Sequence, residues 1–309
     1  MILLLTLFSC LPSTDKKKDN SNKGKITSLG NITSSNCTVD EFYFSINNKT
    51  IEQNLLPYGC TLGLRLKGIS GFKAKNARLN ESSFGQGKIF CNASMKVLDT
   101  NNVVIVNAED VLKSNYPDGM KEETFTDIIE LFLYLQSPIK MNEKYKFVFS
   151  LKDKEGNAAM EISEYFTTRP TKGLQYEEKG LTADGFFIYR NNMKTGAMSE
   201  NVIFHGDTLL GYFTGLKGFA EVDGRVWIDG SIRYYSDQSE LLGEFPDLFK
   251  ADDEKGFSPE EVKKYFAVTF ISNPMIYGME KDFSIVIRIK DKKSDASLVA
   301  KYYYTGKSR

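Results

Sequence analysis

The chain has 309 residues, 41% hydrophobic and 13% aromatic, which is enough for two cored domains and too apolar for wholesale disorder. Its 40 basic and 40 acidic residues cancel, so charge balance gives no reason to expect nucleic acid or an anionic surface as partner. Beyond Phe8 no apolar run approaches the ~20 residues of a membrane-crossing helix.

The chain opens MILLLTLFSC, a short apolar run from Ile2 to Phe8 followed by Cys10. The run fits the ~7–15-residue apolar region of a secretory signal, and a signal peptide over residues 1–9 is the expectation. Residues 10–35 begin with Cys10 and continue as a Lys- and Asn-rich tract, too polar to bury a core and suited to a flexible tether. The stretch LFSC, Leu7 to Cys10, resembles the lipobox of bacterial lipoproteins, with Leu three positions and Ser one position before the cysteine. That resemblance implies cleavage before Cys10, a diacylglycerol on its sulfur and an acyl chain such as palmitate on its new amino group. It also implies a bacterial cell-envelope location, at the outer membrane. Two or three acyl chains hold a protein on a bilayer where one would not. The same residues admit a plainly secreted or a cytoplasmic chain, and the N-x-T triplets at Asn31 and Asn48 admit a glycosylated secreted one.

From Cys37 onward the sequence is written twice. CTVDEFYFSINNKT, from Cys37, aligns with LTADGFFIYRNNMKT, from Leu181; YGCTLGLRLKGISGF, from Tyr58, aligns with HGDTLLGYFTGLKGF, from His205. FCNASMKVLD from Phe90 matches WIDGSIRYYS from Trp227, and Asp110 matches Asp247. Leu151-Lys152-Asp153-Lys154 matches Ile289-Lys290-Asp291-Lys292, and EYFTT from Glu164 matches YYYTG from Tyr302. The shift from block to block places about ten extra residues in the first copy, around ARLNESSFGQGK. The expected domains are residues 36–170 and 171–309.

Each copy reads as strands. Leu62, Leu64 and Leu66 alternate onto one face. Ile89, Cys91, Ala93, Met95 and Val97 point inward, as do Val226, Ile228, Gly230, Ile232 and Tyr234 in the second copy. Strands of this spacing joined by Gly, Asn and Asp turns predict a mainly β protein. The expected architecture is two tandem homologous antiparallel β-sandwiches, similar in kind to the immunoglobulin-like domains of bacterial surface lipoproteins, each with at most one short helix. Ser258, Pro259 and Glu261 mark such a helix as cap, first position and capping-box partner. The matched glycines Gly68/Gly215 and Gly71/Gly218 fall at strand ends as turns of positive φ.

Signals for chemistry are sparse. No G-x-G-x-x-G, P-loop, H-E-x-x-H or G-x-S-x-G pattern occurs, and no C-x-x-C spacing; no cofactor and no metal is expected. His205, the only histidine, is read as a loop residue. G-x-x-G in GISGF and GLKGF follows alternating strands, unlike the helix-joining loop of a nucleic-acid-binding KH domain, so no nucleic-acid partner is expected. Asp110 and Asp247 lack a Ca²⁺-loop register and read as surface charge. Cys37, Cys60 and Cys91 permit one disulfide plus a thiol, or three small buried hydrophobes. The candidate binding face lies opposite the inward residues of one strand pair: Trp227, Arg233 and Tyr235 in the second copy, Phe90 and Lys96 in the first. The function expected is a lipid-anchored envelope protein, held to the membrane through Cys10, that binds a surface protein or glycan or serves a structural role without catalysis. The alternative is an envelope glycan hydrolase working through paired carboxylates.

Overall fold

The computed structural model describes residues 30–46, 49–75, 87–190, 197–198, 200–204, 206–252, 254–264, 266–271 and 281–307. Cys10 with the leader and most of the tether, His205 and most of the ARLNESSFGQGK stretch lie outside the described residues. The chain divides into two compact units: one from Met1–Leu55, Thr61–Tyr134 and Lys144–Thr167, the other from Leu56–Cys60, Leu135–Glu143 and Thr168–Arg309. The second unit therefore takes in two short segments that the repeat alignment assigns to the first copy.

Within the first unit, a large antiparallel sheet has the strand order Asn31–Ser35, Ala159–Arg169, Lys144–Asp153, Cys91–Leu98, Val104–Ala108. A smaller sheet has the order Ile128–Tyr134, Thr61–Lys67, Glu41–Ile46, Lys49–Thr50. Within the second unit, the large sheet has the order Leu174–Lys179, Ser297–Lys307, Lys281–Asp291, Ile228–Ser236, Leu241–Phe245. Its smaller sheet joins Gly185–Arg190, Thr208–Thr214 and Phe266–Ile271. The two large sheets share one strand order along their five-strand paths. The first unit adds a small sheet of Ala74–Lys75, Lys88–Ile89 and Met120–Lys121, the second a parallel strand Val202–Phe204 beside Ser297–Lys307, and each has a short α-helix, Glu122–Asp127 or Pro259–Lys264. The protein is mainly β, two tandem antiparallel β-sandwiches.

Alternation explains the packing. Met95, Val97, Phe147, Phe149, Leu151 and Ile162 point in from the first unit's large sheet, and Phe44, Leu62, Leu64, Leu66 and Leu131 from its small one, all at most 3% exposed. Phe44 meets Phe147 edge to face, with ring centroids 5.7 Å apart. In the second unit Ile228, Ile232, Ile285, Ile287, Ile289 and Leu298 face Phe186, Ile188, Leu209 and Phe213. Each such side chain contributes roughly 1.5–3 kcal/mol of transfer free energy.

The repeated motifs have repeated physical jobs. Asp153 Oδ2 accepts the Lys73 amide at 2.7 Å and Oδ1 the Glu155 amide at 2.9 Å. Asp291 does the same with the amides of Ala220, at 2.8 Å, and Lys293, at 2.9 Å. That is why the Lys-Asp-Lys sequence recurs: the carboxylate satisfies backbone donors that would otherwise lack partners. Gly68 and Gly215 have φ of +69° and +64°, and their amides donate to Thr126 O and Lys263 O. Asp110 pairs with Lys154 at 3.4 Å and Asp247 with Lys292 at 3.6 Å. These matched aspartates are structural ion pairs at turns.

No disulfide links the cysteines among the described residues: Cys37, Cys60 and Cys91 are free thiols. The Cys37 thiol donates to Ala159 O at 3.1 Å and the Cys60 thiol to Ala197 O at 3.7 Å. Burial pushes the Cys60 and Cys91 thiols up to about 12, and raises that of Cys37. Cys37 and Cys60 are small buried hydrophobes, and Cys91 is half-buried.

Candidate functional site

The outward face of the second unit's large sheet gathers aromatic and cationic groups into two rows. Strand pairing sets Tyr235 beside Ser284 and Ser284 beside Tyr303, giving the row Tyr235–Ser284–Tyr303. The next row outward on the same face is Arg233–Val286–Lys301. Neighbouring strands lie ~4.8 Å apart, so the two tyrosine backbones are separated by about 10 Å. Ser284 alternates with the core residues Phe283 and Ile285 yet is only 5% exposed, whereas Tyr303 is 37% exposed.

Cations hold the rings. Lys301 Nζ sits 4.7 Å from the Tyr303 ring centroid, an attraction to the face of the π system. Arg233 Nε donates to Glu244 Oε1 at 2.7 Å. The Glu244 hydrogen bond and charge, with a further hydrogen bond to Tyr235, raise the guanidinium pKa above its already high value. The patch thus presents apolar ring area, hydroxyl groups and fixed positive charge, with Leu241 half exposed at its edge.

Sequence alternation locates Arg233 and Tyr235 in this patch. Trp227 lies outside it, just before the Ile228–Ser236 strand, half-buried, with Lys293 Nζ 5.0 Å above its ring and its carbonyl accepting the Lys292 amide at 2.9 Å. Phe90 sits likewise in the first unit: Lys75 Nζ is 5.9 Å from its ring and its carbonyl accepts the Lys154 amide at 2.9 Å. Lys96 is exposed on the first unit's outward face, between Val148 and Asn107. Tyr303, Lys301 and Ser284 were not singled out from sequence. The alternation of SLVAKYYYT gives their outward direction, but only the strand register brings them to Tyr235.

A cleft of about 360 Å³ in the second unit is lined in part by Phe219, Glu221, Glu260, Lys217 and Lys263. Glu221 and Glu260 are exposed, Lys263 lies 3.9 Å from Glu260, and Lys217 Nζ reaches Asp184 at 3.3 Å. The cleft wall thus offers carboxylates and ammonium groups and no Ser, Cys or His nucleophile. Among the described residues no group of three or more His, Cys, Asp or Glu is placed to hold a metal ion. Nor is any helix among them long and apolar enough to cross a membrane.

No family model and no curated protein matches this chain. Solved structures similar to it include the C-terminal domain of wzt, at 5% identity over 45% of this chain and 77% of that one, TM-score 0.32. A DUF3823 family protein from Bacteroides ovatus aligns at 9% identity over 74% of this chain and 95% of that one, TM-score 0.22. Fibronectin(III)-like modules of Clostridium thermocellum CbhA align at 8% identity over 86% of this chain and 94% of that one, TM-score 0.19. At TM-scores this low none of them bears on what the chain does, and the fold rests on the strand pairing itself.

Proposed function

We propose that this chain is a lipid-anchored bacterial cell-envelope protein that binds a glycan or protein ligand without catalysis, on the outward face of its second sandwich. The observation that carries the binding role is the Tyr235–Ser284–Tyr303 row with Arg233 and Lys301 beside it. Two tyrosines about 10 Å apart offer stacking area and hydroxyl groups to one ligand segment, and the cations add directional hydrogen bonds. A rigid sheet fixes these groups without an ordering cost at the moment of binding. Anchoring rests on the lipobox resemblance at Leu7 to Cys10. The tether from Cys10 supplies reach, and repeated modules on one tether supply avidity.

The test is binding of the parent chain and a Tyr235→Ala/Tyr303→Ala double variant to fractionated envelope glycans and to purified surface proteins. At least tenfold weaker binding at an unchanged unfolding midpoint is expected. A ligand bound equally by both forms would refute the assignment of this face.

A further inference from the structure

The outward face of the first unit's large sheet differs from its counterpart in charge. Lys144, Lys146 and Lys152 alternate along one strand, and Lys96 projects from the next, beside Val148. The same face carries Glu161, which receives a 3.4 Å hydrogen bond from Ser150, and at its edge Glu109, which accepts from Asn107, the residue beside Lys96. Among the described residues none of the four lysines forms an ion pair. Tyr165 is 48% exposed between two of them, with Lys144 Nζ 5.2 Å and Lys146 Nζ 5.7 Å from its ring centroid. In the second unit the matching face sets two of its cations next to acids, Arg233 bonding Glu244 and Lys290 lying across from Asp229, while Arg288 and Lys301 lie beside Ser231 and Val286. A chain of zero net charge has no compositional reason to collect unpaired lysines on one sheet.

From this face we infer a direct docking surface for an anionic phospholipid leaflet. The lysines spread along about 27 Å of strand on a sheet face rather than in a groove, which matches a planar array of headgroups. Lysines that keep their ammonium groups in water, around a tyrosine with an apolar ring and polar tip, are the residue types that settle at a membrane–water boundary. The inference rests on the anchored reading in one respect. Acyl chains on Cys10 would hold the chain, and with it the first unit, at the bilayer. Each lysine near an anionic leaflet strengthens partition about fivefold, so four give roughly 10²–10³-fold, and salt screens the effect.

The experiment uses the full chain with Cys10→Ser, which carries no acyl chains, so that failure of the anchor and failure of the docking face are read separately. Partition is measured onto vesicles of phosphatidylcholine alone and of equal phosphatidylcholine and phosphatidylglycerol, at low and high salt. At least 30-fold preference for the anionic vesicles is expected, lost at high salt and in the Lys96→Gln/Lys144→Gln/Lys146→Gln/Lys152→Gln variant. An Arg288→Gln/Lys290→Gln variant, which removes cations from the second unit, is expected to keep the preference. Equal partition onto both vesicles, or a preference that survives the fourfold change, overturns the inference. Lysine-dependent retention on dextran sulfate without vesicle binding also overturns it, and assigns the face to a soluble polyanion. All four side chains project from the outward face, so an unchanged circular dichroism spectrum and unfolding midpoint confirm that the variant folds.

Discussion

Six matched positions on the outward faces of the two large sheets show how the copies diverged. The second unit carries Tyr235, Ser284 and Tyr303 above Arg233, Val286 and Lys301; the first carries Leu98, Lys146 and Tyr165 above Lys96, Val148 and Ser163. Inward positions of the same strands are mostly apolar in both, Glu164 opposite Phe147 being an exception, and the Asp153/Asp291 and Gly68/Gly215 turns are kept. Core packing constrains volume and polarity at every inward position, while a solvated sheet face is free to change. At these positions each face keeps two cations; the second unit carries two tyrosines and pairs Arg233 with Glu244, while Lys144 and Lys152 extend the cationic set of the first.

The outward faces of the small sheets differ in a second way. In the first unit Tyr43, Arg65 and Glu130 form a half-buried polar ladder, with Arg65 donating to the Glu130 carboxylate and to Tyr43 Oη. In the second unit the matched residues are Phe187, Tyr212 and Ala267. There Tyr58, 0% exposed, tilts against Phe187 at 5.9 Å between ring centroids and shares a 2.6 Å hydrogen bond with Thr214 Oγ1. The Tyr58 ring occupies the space that a Cβ at Gly185 would need, and Phe187 occupies that of a Cβ at Gly59.

This contrast breaks most sharply at Tyr58. Tyr58→Ala is expected to cost about 3–5 kcal/mol in urea unfolding of the second unit, while Tyr43→Ala, on a half-buried face, costs no more than about 1 kcal/mol. A matched glycine pair sharpens it. Gly59 and Gly206 have φ of +82° and +80°, but a Cβ at Gly206 meets nothing within 4 Å. Alanine at either site pays about 1 kcal/mol for the left-handed backbone, and at Gly59 ring overlap adds roughly 1–3 kcal/mol; equal midpoints for the two variants would remove Phe187 from the account.

Alkali should act on both units. With the ordinary thiol at 9.0 and Cys60 and Cys91 held at about 12, the unfolded chain loses these protons first. The stability that this retention supplies is complete below pH 9 and lost as pH rises toward 12, at most on the order of 4 kcal/mol per thiol. Urea midpoints at pH 8, 10 and 11.5 should fall, and Cys60→Ala should flatten the decline for the second unit alone. The smallest effect is expected at the surface: Glu244→Gln should leave the unfolding midpoint within error, because an exposed ion pair is worth little, while weakening ligand binding by loosening Arg233.

Much of this was legible in the residues. The repeat, the strands and the inward set follow from period-two alternation, and the Pro259–Lys264 helix from its cap sequence. Arg233 and Tyr235 were legible because they share one strand. Tyr303 and the grouping of Lys96 with Lys144, Lys146 and Lys152 were not, since local alternation gives a side chain's direction but not its neighbour on the next strand. Tyr58 was hidden for another reason: YGC and HGD read as the same turn, and only tertiary contact distinguishes a buried ring from a loop residue.

The intact mass of the native polypeptide tests the account most directly. It should show a chain that begins at Cys10 and carries a diacylglyceryl group on its sulfur, with or without a further acyl chain on its amino group. A mass that retains residues 1–9, or one free of acyl chains, would contradict envelope anchoring and leave only the duplicated sandwich and its faces standing.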